Sequence, residues 1–133
     1  MKQAYLSLSF QNRKNLQAEI TSIQQALSAS DIYLFIFVDN YHFTKDQETE
    51  MMQQAFADID RSDFLIAEVS DKAIGVGIEI GYAAALNKPV IYLRNELAEH
   101  STTAAGSSDH LIIYKTPDDL EQKLKLILRS VIS

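Results

Sequence analysis

The sequence predicts an α/β domain with a parallel sheet of about five strands and helices on both faces. Two observations lead there. Short β-favouring runs alternate with amphipathic helical segments along the whole chain, the pattern of βαβ units. The runs Ile32–Val38 (IYLFIFV) and Asp63–Val69 (DFLIAEV) are apolar almost throughout, as strands covered on both faces are.

The elements follow in order. Ala4–Ser9 (AYLSLS) alternates and reads as the first strand. Arg13–Ala29 carries Leu16, Ile20, Ile23 and Leu27 at helical spacing. After the strand Ile32–Val38 comes a polar stretch, Asp39–Thr44. A helix is expected from Lys45 to Arg61, with Met51, Met52, Ala55, Phe56 and Ile59 inward. Asp63–Val69 is the third strand. A glycine-bearing turn leads into a helix over Val76–Leu86, which Asn87-Lys88 ends and Pro89 keeps from continuing. Val90–Leu93 is the fourth strand, Arg94–Asp109 an irregular segment, and His110–Tyr114 the fifth strand. Asp118–Ile132 closes the chain as a helix, with Thr116 as N-cap and Pro117 at the first helical position.

At 133 residues and 47% apolar content, one domain with a sizeable core is expected over 1–133. The formal net charge of −6, with no clustered Lys or Arg, argues against a nucleic-acid polymer as partner. With no cysteine there is no disulfide, no thiolate chemistry and no cysteine-based metal site. His42, His100 and His110 lie too far apart for metal-ligand spacing, so no metal and no cofactor are expected. The N-terminus enters a strand rather than a signal peptide. No apolar stretch approaches the roughly 20 residues of a membrane span. The expected location is the cytoplasm.

Three of the four glycines, Gly75, Gly77 and Gly81, lie within seven residues, where the third strand turns into a helix. Glycine serves positive φ or close backbone approach, so Gly75 and Gly77 are expected to shape a turn or a ligand site. Gly81 is expected to allow close packing of helix on sheet. Glu79 falls in the first turn of that helix, at the carboxyl edge of the sheet, where open α/β sheets bind ligands. The helix dipole favours an ionised carboxylate there, available as a nucleophile. The dinucleotide fingerprint does not apply, since the spacing is G-x-G-x-x-x-G and follows the third strand.

The run Ser62–Ser70 (SDFLIAEVS), then Gly75–Ala83 (GVGIEIGYA) and Lys88-Pro89-Val90-Ile91, resembles the nucleoside 2-deoxyribosyltransferase family, including its nucleoside 5′-monophosphate N-glycosidases. The resemblance covers nearly the whole chain and is most specific from Asp63 to Pro89. It implies a single flavodoxin/Rossmann-like domain and cleavage or exchange of an N-glycosidic bond. It makes Glu79 the nucleophile that forms a glycosyl-enzyme intermediate, as in retaining glycosidases. It places Tyr5 beside the nucleophile, Ser7 and Ser9 in the substrate site with a phosphate contact at Ser9, and Ser101 in a neighbouring subunit's site. A homodimer or higher homo-oligomer follows from that last role. The substrate so implied is a small-molecule nucleoside or nucleotide.

The chain departs from the family's pattern at Ala55 and Ala73, where family members carry polar residues. Asp58, one helical turn beyond Ala55, is the substitute expected as proton donor, with Glu68 and Asp71 as further candidates. Arg13 is placed to pair with a phosphate. Tyr41 and Phe43 lie at the ligand edge, where an aromatic ring can stack on a base. The stripe Tyr33, Phe35, Phe37 is expected in the core, and Met51 and Met52 are expected to pack. Two other functions stay open: a nucleotide-binding module without efficient catalysis, and a nicotinamide-dinucleotide glycohydrolase.

Overall fold

The computed structural model describes residues 1–132. Five strands form one parallel sheet: β1 (Lys2–Ser7), β2 (Ile32–Ile36), β3 (Phe64–Glu68), β4 (Val90–Asn95) and β5 (His110–Tyr114), in the order β2-β1-β3-β4-β5. The register puts Tyr5 opposite Phe35 on one side and Leu65 on the other. This is the doubly wound order in which the winding reverses between β1 and β3.

Six α-helices connect and cover the sheet: α1 (Gln17–Ser28), α2 (Phe37–Asn40), α3 (Glu48–Arg61), α4 (Ile74–Ala85), α5 (Thr102–Gly106) and α6 (Pro117–Val131). Because side chains alternate along a strand, each strand feeds two separate cores. Ala4, Leu6, Phe64, Ile66, Ile91 and Leu93 pack with Ile20 and Ile23 of α1 and Leu120, Leu124 and Leu128 of α6. Tyr5, Phe35, Leu65, Ala67, Val90 and Tyr92 pack on the other side with Ile59 of α3 and Val76, Ile80 and Ala83 of α4.

The α/β expectation holds, with local corrections. The first strand stops at Ser7, and Phe10–Asn15 winds as a 3-10 segment before α1 begins at Gln17. The strand expected over Ile32–Val38 ends at Ile36, and Phe37–Asn40 turns into the four-residue α2, while the irregular stretch after β4 holds the five-residue α5. Helices that short leave no periodicity to read. Tyr33 is half exposed at 49%, because it lies on β2, the edge strand. Phe37 lies beyond the end of β2 and is only partly buried. α4 starts two residues earlier than expected, at Ile74, while its end and the start of α6 read as expected. Thr116 Oγ1 accepts from the Asp119 N–H at 3.0 Å, with Pro117 opening α6. Asn87 takes φ 59° after α4, where Lys88 N–H donates to Ala83 O and Asn87 N–H to Ala84 O. That pair of bonds is the Schellman closure, with asparagine in the left-handed position usually held by glycine. No described helix is long and apolar enough to cross a membrane.

Candidate active site

Tyr5 and Ser7 are two residues apart on β1 and therefore point to the same face, the one α4 covers. Both reach Glu79. Tyr5 Oη donates to Glu79 Oε2 at 2.5 Å, and Ser7 Oγ donates to Oε1 at 2.6 Å. Each carboxylate oxygen thus has one hydroxyl donor and keeps acceptor capacity for something else. The three side chains sit where β1 and β3 part company, the position an open α/β sheet gives to its ligand.

Glu79 is the sixth residue of α4, which begins at Ile74, so it belongs to the second helical turn rather than the first. The dipole effect expected of it fades beyond the first turn. Burial instead raises its pKa, against the opposing pull of the Ser7 and Tyr5 hydroxyls. Tyr5 is fully buried, and burial followed by the nearby Glu79 charge pushes its own ionisation far upward. It stays a neutral donor to the carboxylate.

A cleft of about 530 Å³ opens over this cluster, lined by Tyr5, Ser9, Phe37, Asp71, Gly75 and Glu79 among others. Ser9, buried at 5% exposure, precedes the 3-10 segment with no side-chain bond to it. An aromatic groove of about 510 Å³ continues from the cleft, sharing Phe10, Phe37, Val38 and Met51 with it. In it Phe37 lies 5.0 Å from Tyr41 and 6.0 Å from Phe43, ring centre to ring centre. Met51, expected only to pack, lines both spaces. On the other side a second cleft of about 550 Å³ runs between the β3–α4 and β4–α5 loops, and Asp71, Lys72 and Ala73 wall both clefts.

Gly75 and Gly77 lie within α4, no glycine has positive φ, and a Cβ at either would meet nothing within 4 Å. Neither is needed for a turn or for contact within this chain, which corrects the turn expected of them. Gly75 lines the Glu79 cleft and Gly77 the second one, so what these glycines leave open is space. Gly81 is exposed on the outer side of α4 and packs against nothing in the sheet.

The remaining candidates separate. Arg13 lies away from both clefts, its fork closed on Asp39 by Nε–Oδ1 and Nη2–Oδ2 bonds of 2.9 and 2.8 Å. Ser101 caps α5, accepting from the Ala104 N–H, and lines the second cleft rather than the one over Glu79. Its neighbour His100 meets Tyr92 Oη through Nδ1 at 3.1 Å. Asp58 is fully buried on α3, paired with Arg61 and reached by Gln54 at 3.2 Å, while its Oδ2 has no partner. Burial raises the pKa of Tyr5 and Tyr41 first, and the Asp58 carboxylate adds to both, at Tyr5 after Glu79. Glu68 points to the opposite face of the sheet, where Tyr114 Oη donates to it at 2.6 Å. Of the three carboxylates considered as proton donor, Asp71 alone lines the Glu79 cleft. Lys72, at the same wall and ion-paired with Glu99 at 3.0 Å, was missed; its place in the loop that opens α4 was the available signal.

The family model for nucleoside 2-deoxyribosyltransferase matches residues 4–121. The chain belongs to that family. The chemistry of the family is cleavage or transfer at the N-glycosidic bond of nucleosides or nucleotides. A curated relative, the 5-hydroxymethyl-dUMP N-hydrolase of Branchiostoma floridae, is 36% identical over 53 residues. That match spans 40% of this chain and half the length of the relative. Among solved structures, the CMP N-glycosidase of Clostridium botulinum superposes with TM-score 0.68 at 26% identity, covering 94% of this chain and 99% of that one. The 2-deoxyribosyltransferase of Bacillus psychrosaccharolyticus gives 0.70 at 19% identity, covering 92% and 95%, and shares the fold.

Proposed function

We propose that the chain hydrolyses the N-glycosidic bond of a nucleoside 5′-monophosphate, with Glu79 as nucleophile. The observation that carries this reading is the Glu79 carboxylate itself, held by two hydroxyls at the floor of an open cleft. A carboxylate oxygen attacks the sugar C1′ and the C1′–N bond breaks, its electron pair leaving with the base. The departing base takes a proton, for which Asp71 or water in contact with it is the nearest acidic group at the cleft. Water then attacks C1′ and gives its proton to Asp71 or to solvent, the C1′–O bond of the ester breaks, and the free carboxylate returns. As the ester forms, Glu79 loses its charge, which relieves the burial that raises its pKa.

Ser9 and Gly75 line the cleft, and the first N–H groups of a helix such as α4 favour an anion. The phosphate is assigned there, with Lys72 close by, and the base toward the groove of Phe37, Tyr41 and Phe43. Ser7 acts on Glu79 rather than on the phosphate. Asp58 acts through Tyr5 and Tyr41, and Ser101 belongs to a site that a second copy of the chain completes. Water as acceptor suits Ala55 and Ala73, where no polar side chain is present to hold a second base.

The test is free-base release from CMP, dCMP, dUMP and 5-hydroxymethyl-dUMP, followed by chromatography with and without an acceptor base. Release from a monophosphate, lost in Glu79→Gln, supports the reading. A new nucleoside in the presence of acceptor would make it a transferase. No release together with thermal stabilisation by a nucleotide would make it a binding module.

A further inference from the structure

Glu68 ends β3 and faces away from Glu79, yet its partners are the residues from which the cleft wall starts. Its Oε1 accepts from the Ser70 N–H at 2.8 Å, and its Oε2 accepts from Ser70 Oγ at 2.7 Å and Tyr114 Oη at 2.6 Å. Ser70 Oγ in turn accepts from the Asn95 N–H at 2.8 Å. Asn95 is the last residue of β4 and Tyr114 the last of β5. One carboxylate, 2% exposed, therefore joins the carboxyl ends of three adjacent strands. Directly after Ser70 come Asp71, Lys72 and Ala73, the wall shared by both clefts, and then α4 with Glu79.

We propose that Glu68 is a positioning residue for substrate binding, clamping Ser70 so that the 71–73 wall is held in place. Burying a carboxylate is costly unless its oxygens are satisfied, and here three donors converge on it. A residue needed only to finish a strand would not require that. An apolar side chain would complete β3 equally well, but would leave the Ser70 N–H and hydroxyl without their acceptor. Glu79 has its own supports, Tyr5 and Ser7, on the other side of β1. Loss of the clamp thus loosens the wall and spares the nucleophile.

The experiment compares Glu68→Leu, Glu68→Gln and Ser70→Ala with the wild type by hydrogen exchange and by CMP hydrolysis. Exchange is expected to quicken over residues 69–78 and 94–101 and to stay unchanged over β1 and α1. In kinetics, where the claim rests on the N-glycosidase reading, KM should rise about tenfold in Glu68→Leu while kcat stays within about threefold. Glu68→Gln, which keeps an acceptor, should recover part of the loss. If Glu68→Leu does not fold, Ser70→Ala, which cuts only the hydroxyl links, decides with the same pattern at smaller size. Unchanged exchange over 69–78 in a folded variant, or a fall in kcat with KM unaltered, overturns the proposal. Should the wild type release no base from any of the four monophosphates while exchange responds as stated, the N-glycosidase reading fails and the clamp stands.

Discussion

Tyr5 and Glu79, 74 positions apart in the chain, meet in a hydrogen bond of 2.5 Å between a phenol and a carboxylate. The phenol is held neutral by burial and by the carboxylate's charge, and the carboxylate gains a donor that favours its ionised form. Ser7 repeats the arrangement on the other oxygen. Positioning and ionisation of the nucleophile thus depend on two hydroxyls from one strand.

Removing either hydroxyl should therefore act on Glu79 in two ways. Tyr5→Phe and Ser7→Ala are each expected to lower kcat about ten- to a hundredfold. Each should also move the acidic limb of the pH–rate profile upward, because the lost donor was lowering the Glu79 pKa. Steady-state kinetics across pH on the two variants checks both. An acidic limb that stays in place or moves down would mean that the hydroxyls do not support the charged form.

The raised Glu79 pKa has a consequence for stability with a definite sign. Between the ordinary glutamate value of 4.5 and the raised folded value, the folded chain holds more protons than the unfolded one. Stability contributed by this group is then lost as pH rises through that window. Relative to wild type, Glu79→Gln should be more favoured at neutral pH than at pH values below 4.5. Urea unfolding of both proteins at several pH values measures the difference. A gap that is constant with pH would place the Glu79 pKa at its ordinary value.

Asp71 lines the cleft and Asp58 does not. Asp71→Asn is accordingly expected to lower kcat about tenfold, and Asp58→Asn by less. The comparison is made with substrates of poor and good leaving base, since proton donation matters most for the poor one. A larger loss at Asp58 would mean that the buried aspartate reaches the base in the complex.

Gly81 sits in the exposed interior of α4, where its lack of a side chain serves no contact in the chain. Gly81→Ala should raise stability by about 1 kcal/mol with unchanged activity. Thermal unfolding reads this directly. A loss of stability, especially one that depends on protein concentration, would place another copy of the chain against that face.

The fold was legible because its signals were long or chemically specific. The apolar runs Ile32–Val38 and Asp63–Val69 read as strands, which they are over Ile32–Ile36 and Phe64–Glu68, and Thr116-Pro117 read as a helix start. The short α2 and α5 were not legible, since one turn of helix has no period. Glu79 was found through its neighbours in sequence, but its burial depends on β1, far away in the chain. For Gly75 and Gly77 only the turn half of the expectation failed, because glycine signals either backbone strain or open space, and spacing does not separate the two. Glu68 was separable in principle. It shares strand parity with Phe64 and Ile66, which pack toward α1 and α6, so alternation alone turned it away from the nucleophile.

That alternation also makes β1 intolerant of changes in length. Tyr5 and Ser7 serve Glu79 while Ala4 and Leu6 fill the opposite layer, and both tasks are written into six residues. Inserting one residue before Tyr5 would present Leu6 to the carboxylate and press a phenol into the aliphatic layer, ruining core and chemistry together. The strand itself can therefore change only by substitution.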